Sequence, residues 1–267
     1  MFDVERPKFA DLLSLKGKRQ ILTIHPDTAA EAAAAAEAGI DMFTSEVNDN
    51  LPAIRAAAPK VFIQASFPDG SLASEEMAIR EGFRGIELGT DAVYYSGWNL
   101  HIVEAMAREG IPVAGHVGFV PGWTTWTGVR AVGKTAKEAV SIYQKVKDLE
   151  NAGAVLVEME IVPVSIADFI TRNTSLITEG MGCGSVCDTQ YLFSCDVLGT
   201  NTGHYPRHSK KYADLAAEEA RLQKIRVDAF RSFADDVRSG RYPERKHESH
   251  VDDDVLNALT KAKVKHS

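Results

Sequence analysis

Short apolar runs alternate with longer helix-like segments along most of this chain of 267 residues. Strands that alternate with helices run parallel, because each helix carries the chain back across the sheet. An eighth βα unit is assigned to 186–198, and 213–239 predicts a long helix because it lacks interior proline and glycine. The clearest runs predict seven strands, at 20–25, 40–46, 61–66, 85–89, 111–117, 154–160 and 175–180.

Seven or eight βα units in succession favour a closed (β/α)8 barrel, the TIM barrel, over an open sheet. The first predicted strand is followed by Pro26 and Asp27 rather than by a glycine-rich fingerprint, which argues against a doubly wound nucleotide-binding fold. No linker interrupts the pattern, so we expect a single domain over 1–267 with a long C-terminal helix. The charged tail at 244–267 is predicted to be partly mobile or to pack on a neighbouring subunit.

Composition narrows the class of function. Acidic residues outnumber basic ones by 37 to 30, and the net charge of −7 disfavours nucleic-acid and membrane binding, which rely on basic patches. No run approaches the roughly 18 apolar residues of a membrane span, and the first residues lack a secretory pattern. The three cysteines, an odd number in a large chain, favour a reducing cytoplasm over a disulfide framework. We therefore expect a cytoplasmic protein that acts on a small molecule.

Active sites of TIM barrels lie at the carboxyl ends of the strands. Acidic residues, histidines and hydroxyl groups recur at the predicted strand ends. They include His25, Asp27, Ser45, Glu46, Ser66, Glu87, His116, Glu158 and Glu160. The sequence thus predicts one polar rim at which catalysis would take place.

The sixth predicted strand carries the most informative residues. Glu158 and Glu160 share one face of the period-two pattern, so both carboxylates point toward the barrel interior or its mouth. A deeper Glu158 suits a structural role, whereas a terminal Glu160 suits a general acid or base whose pKa is raised by the like charge nearby. The alternative is that both form structural ion pairs. His116 ends the neighbouring strand and faces the same ligand, unless it is only a core histidine.

Five segments between residues 110 and 250 resemble motifs of one enzyme family. The sequence GIPVAGHVGFVP at 110–121 resembles its V-P-V-x-G-H-x-G-x-x-P motif. Leu149 to Ala154, followed by Glu160 to Pro163, resembles its L-E-x-A-G-A and E-x-V-P pair. The remaining three are the glycine loop at 180–184 with Asp188 and Gln190, the GHYP at 203–206 and the GRYP at 240–243. The order and spacing of these segments match the ketopantoate hydroxymethyltransferase family, barrel enzymes of the phosphoenolpyruvate mutase and isocitrate lyase superfamily.

This resemblance implies a reaction and a set of roles. The family condenses a 2-oxo acid with the one-carbon unit of methylenetetrahydrofolate and uses Mg²⁺, which stabilises an enolate by chelating the substrate. Glu160 falls on the family's catalytic glutamate, His116 on its active-site histidine and Asp27 on the aspartate after strand one. The resemblance also implies a homo-oligomer, since the family forms ring-like assemblies.

The N-terminal half departs from the family pattern. Where the family has G-D-S-L-G, this chain has Ser45 and Glu46, and where the family has A-D-x-P it has Ser66. The family's K-I-E-G motif is aligned with residues 85–88, so its glutamate corresponds to Glu87. Its lysine is missing, but Arg84 is one residue away. Glu46 and Glu87 are thus the predicted metal ligands, and the substrate-binding residues are predicted to be Ser45, Ser66, Asp27 and Arg84. Two metal-binding carboxylates and one cation of the family pattern are thus altered. We therefore expect a substrate that differs from the family's.

Three other functions remain compatible with these residues. One is a superfamily lyase or hydrolase that acts on a different oxo acid without folate. Another is a catalytically inactive barrel that binds a ligand. The third is a phosphate-ester enzyme whose glycine loop at 180–184 holds phosphate through backbone amides.

Overall fold

A closed barrel of eight parallel strands forms the centre of the computed structural model, which describes residues 6–68, 70–97 and 99–264. Each strand pairs with the next along the chain, and the last pairs with the first from Ile21 opposite Thr189 to His25 opposite Phe193. The strands are β1 Ile21–His25, β2 Met42–Glu46, β3 Phe62–Ser66, β4 Ala92–Tyr94, β5 Val113–Gly118, β6 Leu156–Glu160, β7 Ile177–Met181 and β8 Thr189–Phe193. The predicted TIM barrel is confirmed.

Helices follow most of the strands and surround the barrel. Several begin at a hydroxyl cap, as at Thr135, whose side chain accepts from the Glu138 amide while the Glu138 carboxylate caps in return. The helices are α1 Phe9–Leu13, α2 Ala29–Glu37, α3 Leu51–Ala57, α4 Glu75–Leu88, α5 Leu100–Arg108, α6 Thr124–Thr127, α7 Ala136–Asn151, α8 Val164–Arg172, α9 Ser194–Leu198, α10 Leu215–Arg238 and α11 Asp253–Val264. The predicted eighth βα unit is present as β8 and α9.

The fourth strand is where the sequence prediction was wrong. Residues 85–89 form the end of α4, and β4 lies further along at Ala92–Tyr94. Gly85, the predicted start of that strand, and Gly82 before it both lie within the helix and serve its packing. A Cβ on Gly82 would lie 2.9 Å from Ile111, and one on Gly85 would lie 2.9 Å from the Phe67 ring. Their lack of side chains lets α4 approach the barrel closely.

The barrel interior is apolar at one end and polar at the other. The first inward residues of β1 to β7 form an apolar floor with Leu12 of α1, namely Ile21, Met42, Phe62, Ala92, Ala114, Leu156 and Ile177. Polar side chains occupy the interior nearer the carboxyl ends, and they are buried as well. Hydrophobic burial therefore stabilises the floor, while the upper half of the barrel is free to carry chemistry.

The chain divides into two compact units, residues 1–214 and 215–267. The second unit contains the predicted long C-terminal helix, α10, in which no described side chain is buried. Among the described residues, no helix has the length and apolar character needed to cross a membrane. The single domain over 1–267 and the mobile tail at 244–267 stay predictions.

Candidate active site

A layer of buried polar side chains lies inside the upper half of the barrel. His116 of β5 pairs in register with Glu158 of β6, which in turn pairs with Glu179 of β7. Since side chains at paired positions of a sheet point to the same face, these three groups converge on the barrel interior. The His116 side chain is 2% exposed and that of Glu158 is 6% exposed. Two carboxyl groups and an imidazole thus share a region almost free of solvent.

Glu160 lies one layer above them, at the carboxyl end of β6. Its Oε2 atom is 3.3 Å from Nε2 of His116, and its side chain is 12% exposed. Burial raises the pKa of Glu160 to about 7. We expected the like charge of Glu158 to raise the pKa of Glu160. That repulsion acts on the pKa of Glu158, whereas removal from water raises that of Glu160. A carboxyl group with such a pKa can take up and release a proton near neutral pH.

The backbone around Glu160 is tightly constrained. Ile161 has a φ of 52°, a left-handed conformation that is unfavourable for a β-branched residue. Its amide donates to the Met181 carbonyl at 2.8 Å, and the Phe119 amide donates to the Glu160 carbonyl at 2.8 Å. Strain of this kind persists only where neighbouring contacts hold it, and it concentrates at functional sites. The chain therefore turns sharply directly after Glu160, held by both neighbouring strands.

His116 is oriented by a tyrosine. Its Nδ1 atom lies 2.5 Å from the Tyr94 hydroxyl, which also hydrogen-bonds the Glu158 carboxylate. Burial lowers the pKa of His116 and raises that of Glu158. The histidine is therefore neutral at pH 7, because a lowered pKa leaves the uncharged form dominant.

Further polar groups below this site were not identified from sequence. Glu179 accepts a hydrogen bond from Gln64 Nε2 at 2.5 Å, and burial raises its pKa well above the usual range. Thr44 Oγ1 donates to the Tyr191 hydroxyl at 2.9 Å and lies 2.9 Å from His25 Nδ1. Glu179 could have been identified in the same way as Glu158, because an acidic residue within a buried strand indicates a polar group inside the barrel. Tyr94 and Tyr191 gave no such signal, because tyrosine is common in strands.

Two cavities meet at Glu160. The smaller, of about 640 Å³, opens over the barrel interior and is lined by His25, Thr44, Ser45, Glu46, Ser66, Tyr94, Ser96, His116, Glu158 and others. The larger, of about 1300 Å³, carries a basic set made up of Arg130, Lys134, His204, Arg207 and His208. Glycines 182 and 184 of the predicted phosphate loop also line the larger cavity. A carboxyl group shared by two cavities can act on molecules bound in both.

Comparison with known proteins identifies the family. The family model for ketopantoate hydroxymethyltransferase matches residues 9–245. A 3-methyl-2-oxobutanoate hydroxymethyltransferase from Kosmotoga olearia is 34% identical over 87% of this chain and 93% of its own length. The chain belongs to the ketopantoate hydroxymethyltransferase family. One from Thermotoga neapolitana is 31% identical, over 88% of this chain and 94% of its own. The family resemblance and the assignment to an enzyme class are confirmed.

Solved structures agree on the fold. A 2,3-dimethylmalate lyase of the PEP mutase/isocitrate lyase superfamily superposes with a TM-score of 0.54 at 14% identity, covering 79% of this chain and 81% of the other. Phosphonopyruvate hydrolase in complex with oxalate and Mg²⁺ superposes with a TM-score of 0.52 at 10% identity, covering 97% and 98%. At these identities the similarity shows a shared barrel fold.

The structure brings some of the predicted site residues together and separates others. Ser45, Glu46 and Ser66 line the smaller cavity together with His116 and Glu160. Asp27 is exposed and lies 4.0 Å from His25 Nε2, and it is not among the residues that line either cavity. The substrate-binding role of Asp27 stays a prediction.

Glu87 and Arg84 were placed incorrectly. Both lie on α4, in the helical layer outside the barrel, rather than at the end of β4. Glu87 is exposed, and Arg84 pairs with Glu81 at 2.7 Å. The error follows from the misassigned strand, because the family's K-I-E-G motif was matched to a helix.

The predicted Mg²⁺ site therefore does not fit the residues present on β2, β3 and β4. Mg²⁺ is bound through oxygen ligands, with carboxylates as the main protein donors. With Glu87 on the outer layer, Glu46 is the remaining carboxylate of the predicted pair. Its described neighbours at the other two strand ends are Ser66, Tyr94 and Ser96. Neutral hydroxyl groups are weak donors, so the residues described at these strand ends offer a single carboxylate to a magnesium ion.

Proposed function

We propose that this protein forms a C–C bond by transferring a hydroxymethyl group to a 2-oxo acid, as in ketopantoate synthesis. The observation that carries the proposal is the position of Glu160. This carboxyl group, with a pKa of about 7, lies between two cavities and 3.3 Å from His116. Family membership supports the reaction class.

Glu160 would move the proton in both halves of the reaction. A 2-oxo acid bound in the smaller cavity loses a proton from the carbon next to its keto group, and the ionised Glu160 accepts it. Methylenetetrahydrofolate would take up water and release tetrahydrofolate and formaldehyde, and the enolate carbon would then attack the formaldehyde carbon. The oxygen of the new hydroxymethyl group takes the proton back from Glu160, which restores the carboxylate. His116, held by Tyr94, would position the substrate beside Glu160.

The two cavities suit two substrates of different size. The smaller cavity, of about 640 Å³, accommodates a short 2-oxo acid within reach of Ser45 and Ser66. The larger cavity, of about 1300 Å³, has a basic lining and accommodates a bulky, negatively charged donor such as methylenetetrahydrofolate. Free formaldehyde is the alternative one-carbon donor.

The rebuilt ends of β2, β3 and β4 favour an acid other than 3-methyl-2-oxobutanoate. Serine and tyrosine replace the charged groups that the family motifs place there, so the contacts to the substrate carboxylate and keto oxygen have changed. We therefore propose a divergent member whose preferred acid differs. Its cytoplasmic location and homo-oligomeric state stay predictions.

Hydrogen exchange followed by product analysis tests this function. The protein would be incubated in D₂O with a series of 2-oxo acids, and deuterium uptake next to the keto group reports enolate formation without a donor. Methylenetetrahydrofolate or formaldehyde is then added, and mass spectrometry detects the hydroxymethylated acid. We expect both signals with at least one acid.

A pair of matched variants tests whether Glu160 is responsible for both exchange and transfer. Glu160→Gln should abolish exchange and transfer, whereas Glu87→Gln, the same change on the outer helix, should leave both unchanged. Exchange without transfer to either donor would assign lyase or hydrolase chemistry on an oxo acid. No exchange with any 2-oxo acid would contradict the proposal and favour a ligand-binding barrel.

A further inference from the structure

One buried nitrogen in the site has no hydrogen-bond partner. His116 Nε2 is inaccessible to water and has no hydrogen-bond partner of standard geometry within the described residues, although Nδ1 of the same ring contacts Tyr94 and the Phe119 backbone lies beside the ring. Glu160 Oε2 approaches it to 3.3 Å, but outside hydrogen-bonding geometry. A buried polar atom without a partner costs about 1–3 kcal/mol, so native proteins rarely retain one without a use.

The surrounding atoms have the spacing of a metal-binding site. Nε2 of His116 lies 3.3 Å from a Glu160 oxygen and 3.9 Å from Glu158 Oε1, and one donor atom from each residue fits within a span of 4.8 Å. Two ligands at roughly 2.0–2.1 Å from a tetrahedral ion are separated by roughly 3.3 Å. The His116–Glu160 pair already has this separation, and the carboxylate of Glu158, 3.9 Å from Nε2, would have to move closer by about 0.6 Å to join it.

The charge of the site also favours a cation. Glu158 and Glu160 are both buried, and in the described part of the chain neither forms an ion pair with a lysine or arginine. Glu179 adds a third buried carboxyl group beneath them. Buried carboxylates are stable only when they are protonated, paired or bound to a metal. A divalent ion would neutralise Glu158 and Glu160 together.

We propose that His116, Glu158 and Glu160 bind one divalent transition-metal ion, such as Zn²⁺ or Mn²⁺, with its remaining coordination positions open to the smaller cavity. Imidazole ligands select transition metals over Mg²⁺, which takes oxygen ligands. Tyr94 at Nδ1 fixes the ring so that Nε2 faces the ion, as outer partners of metal-binding histidines do. A bound ion would hold Glu160 in its ionised form, so the pKa of about 7 applies to the metal-free protein. This inference concerns the site of the proposed reaction but does not depend on that reaction.

Metal titration without substrate tests the inference. Protein freed of metal by a chelator would be titrated with ZnCl₂, MnCl₂ and MgCl₂ by calorimetry, and CoCl₂ binding would be followed by visible absorption. We expect one Zn²⁺ per chain, Mg²⁺ binding at least about 100-fold weaker, and a Co²⁺ spectrum with a nitrogen ligand.

Three variants locate the ion. Glu158→Gln and His116→Gln should each weaken Zn²⁺ binding by about 100-fold or more. Glu46→Gln, at the end of β2, should change it by less than about threefold. Circular dichroism would establish that each variant is folded. The inference is overturned if folded wild-type protein binds no Zn²⁺, if neither Glu158→Gln nor His116→Gln weakens binding, or if Glu46→Gln abolishes it. Because no substrate is present, these outcomes are independent of whether the proposed reaction occurs.

Discussion

Gly118 lies against Glu160 so closely that a methyl group on it would stand 2.3 Å from the Glu160 carbonyl oxygen. Gly118 also has a φ of 90°, a conformation that residues with a side chain rarely adopt. The contact joins β5 to β6 directly beside the proposed catalytic carboxyl group. Glycine at this position therefore permits the strand approach that brings His116 and Glu160 together.

Replacement of Gly118 by alanine should destabilise the protein and impair the site. Backbone strain and the clash with Glu160 together should lower the free energy of unfolding by about 2–4 kcal/mol. Urea denaturation measures this change. Gly110→Ala is the matched control, because Gly110 has a φ of 78° but no atom within 4 Å of an added methyl. It should cost only about 1 kcal/mol, and equal losses would exclude the steric contribution.

Turnover should depend on the ionisation of Glu160. With a pKa of about 7, the carboxyl group is mostly protonated at pH 6 and mostly ionised at pH 8. Since the ionised form accepts the substrate proton, the rate of deuterium exchange by the metal-free protein should rise through pH 7 and then level off. Glu160→Gln should lower the rate by about 10²–10⁴-fold across this range. A rate that is flat between pH 6 and pH 8 would contradict the assignment.

The same residue should destabilise the fold at alkaline pH. The pKa of Glu160 rises from 4.5 to about 7 on folding, so between these values the native state binds more protons than the unfolded state. The free energy of unfolding should therefore fall by about 3 kcal/mol as the pH rises from about 4.5 to 7, because the folded state must give up this proton. Glu160→Gln should be more stable than wild type at pH 8 and nearly equal at pH 4.5. Thermal unfolding at both pH values measures this difference, with Glu87→Gln as the control that should show none.

Tyr94→Phe should weaken catalysis without unfolding the barrel. The variant removes the hydroxyl that lies 2.5 Å from His116 Nδ1, while the ring still fills its place in β4. Loss of this partner leaves the imidazole less well oriented, and we expect exchange to slow by about 10–100-fold. The pH of half-maximal rate should stay near 7, because Glu160 is unchanged. A shift of that midpoint would show that Tyr94 acts on the ionisation rather than on the position of His116.

Removal of a basic group from the larger cavity should weaken only the binding of the one-carbon donor. Arg207→Gln should raise the KM for methylenetetrahydrofolate by about tenfold, the equivalent of 1.4 kcal/mol, and leave deuterium exchange of the 2-oxo acid unchanged. Initial-rate kinetics with each substrate varied in turn distinguish the two effects. Lys137→Gln on α7 removes a positive charge away from the cavities and should change neither. Equal effects on both substrates would argue against separate binding cavities.

Most strands of the barrel could be predicted because each depends on the pattern of residues next to one another in the sequence. Alternation along β6 placed Glu158 and Glu160 on one inward face, and the parallel order of strands put His116 beside them. The β4 error arose because a glycine in sequence does not reveal whether it ends a strand or lets a helix pack closely. Gly82 and Gly85 do the second. That distinction depends on Ile111 and Phe67, which approach only in the folded chain.

The polar network was harder to predict than the strands. Glu179 and Gln64 are far apart in sequence and meet across the barrel, so no spacing rule connects them. The raised pKa of Glu160 was expected, but the part that burial plays in it was not, because the exposure of a side chain is set only in the folded chain. Periodicity thus indicates which face a residue occupies, whereas its partners and its exposure follow from closure of the barrel.

The separation between an apolar floor and a polar upper layer has an evolutionary consequence. Leu156 belongs to the floor, whereas Glu158 and Glu160, further along the same strand, belong to the site. A substitution at Ser66 would change the lining of the smaller cavity without altering any residue of the floor. A lineage can therefore exchange one substrate for another by successive single mutations, each of which leaves a folded protein for selection to act on.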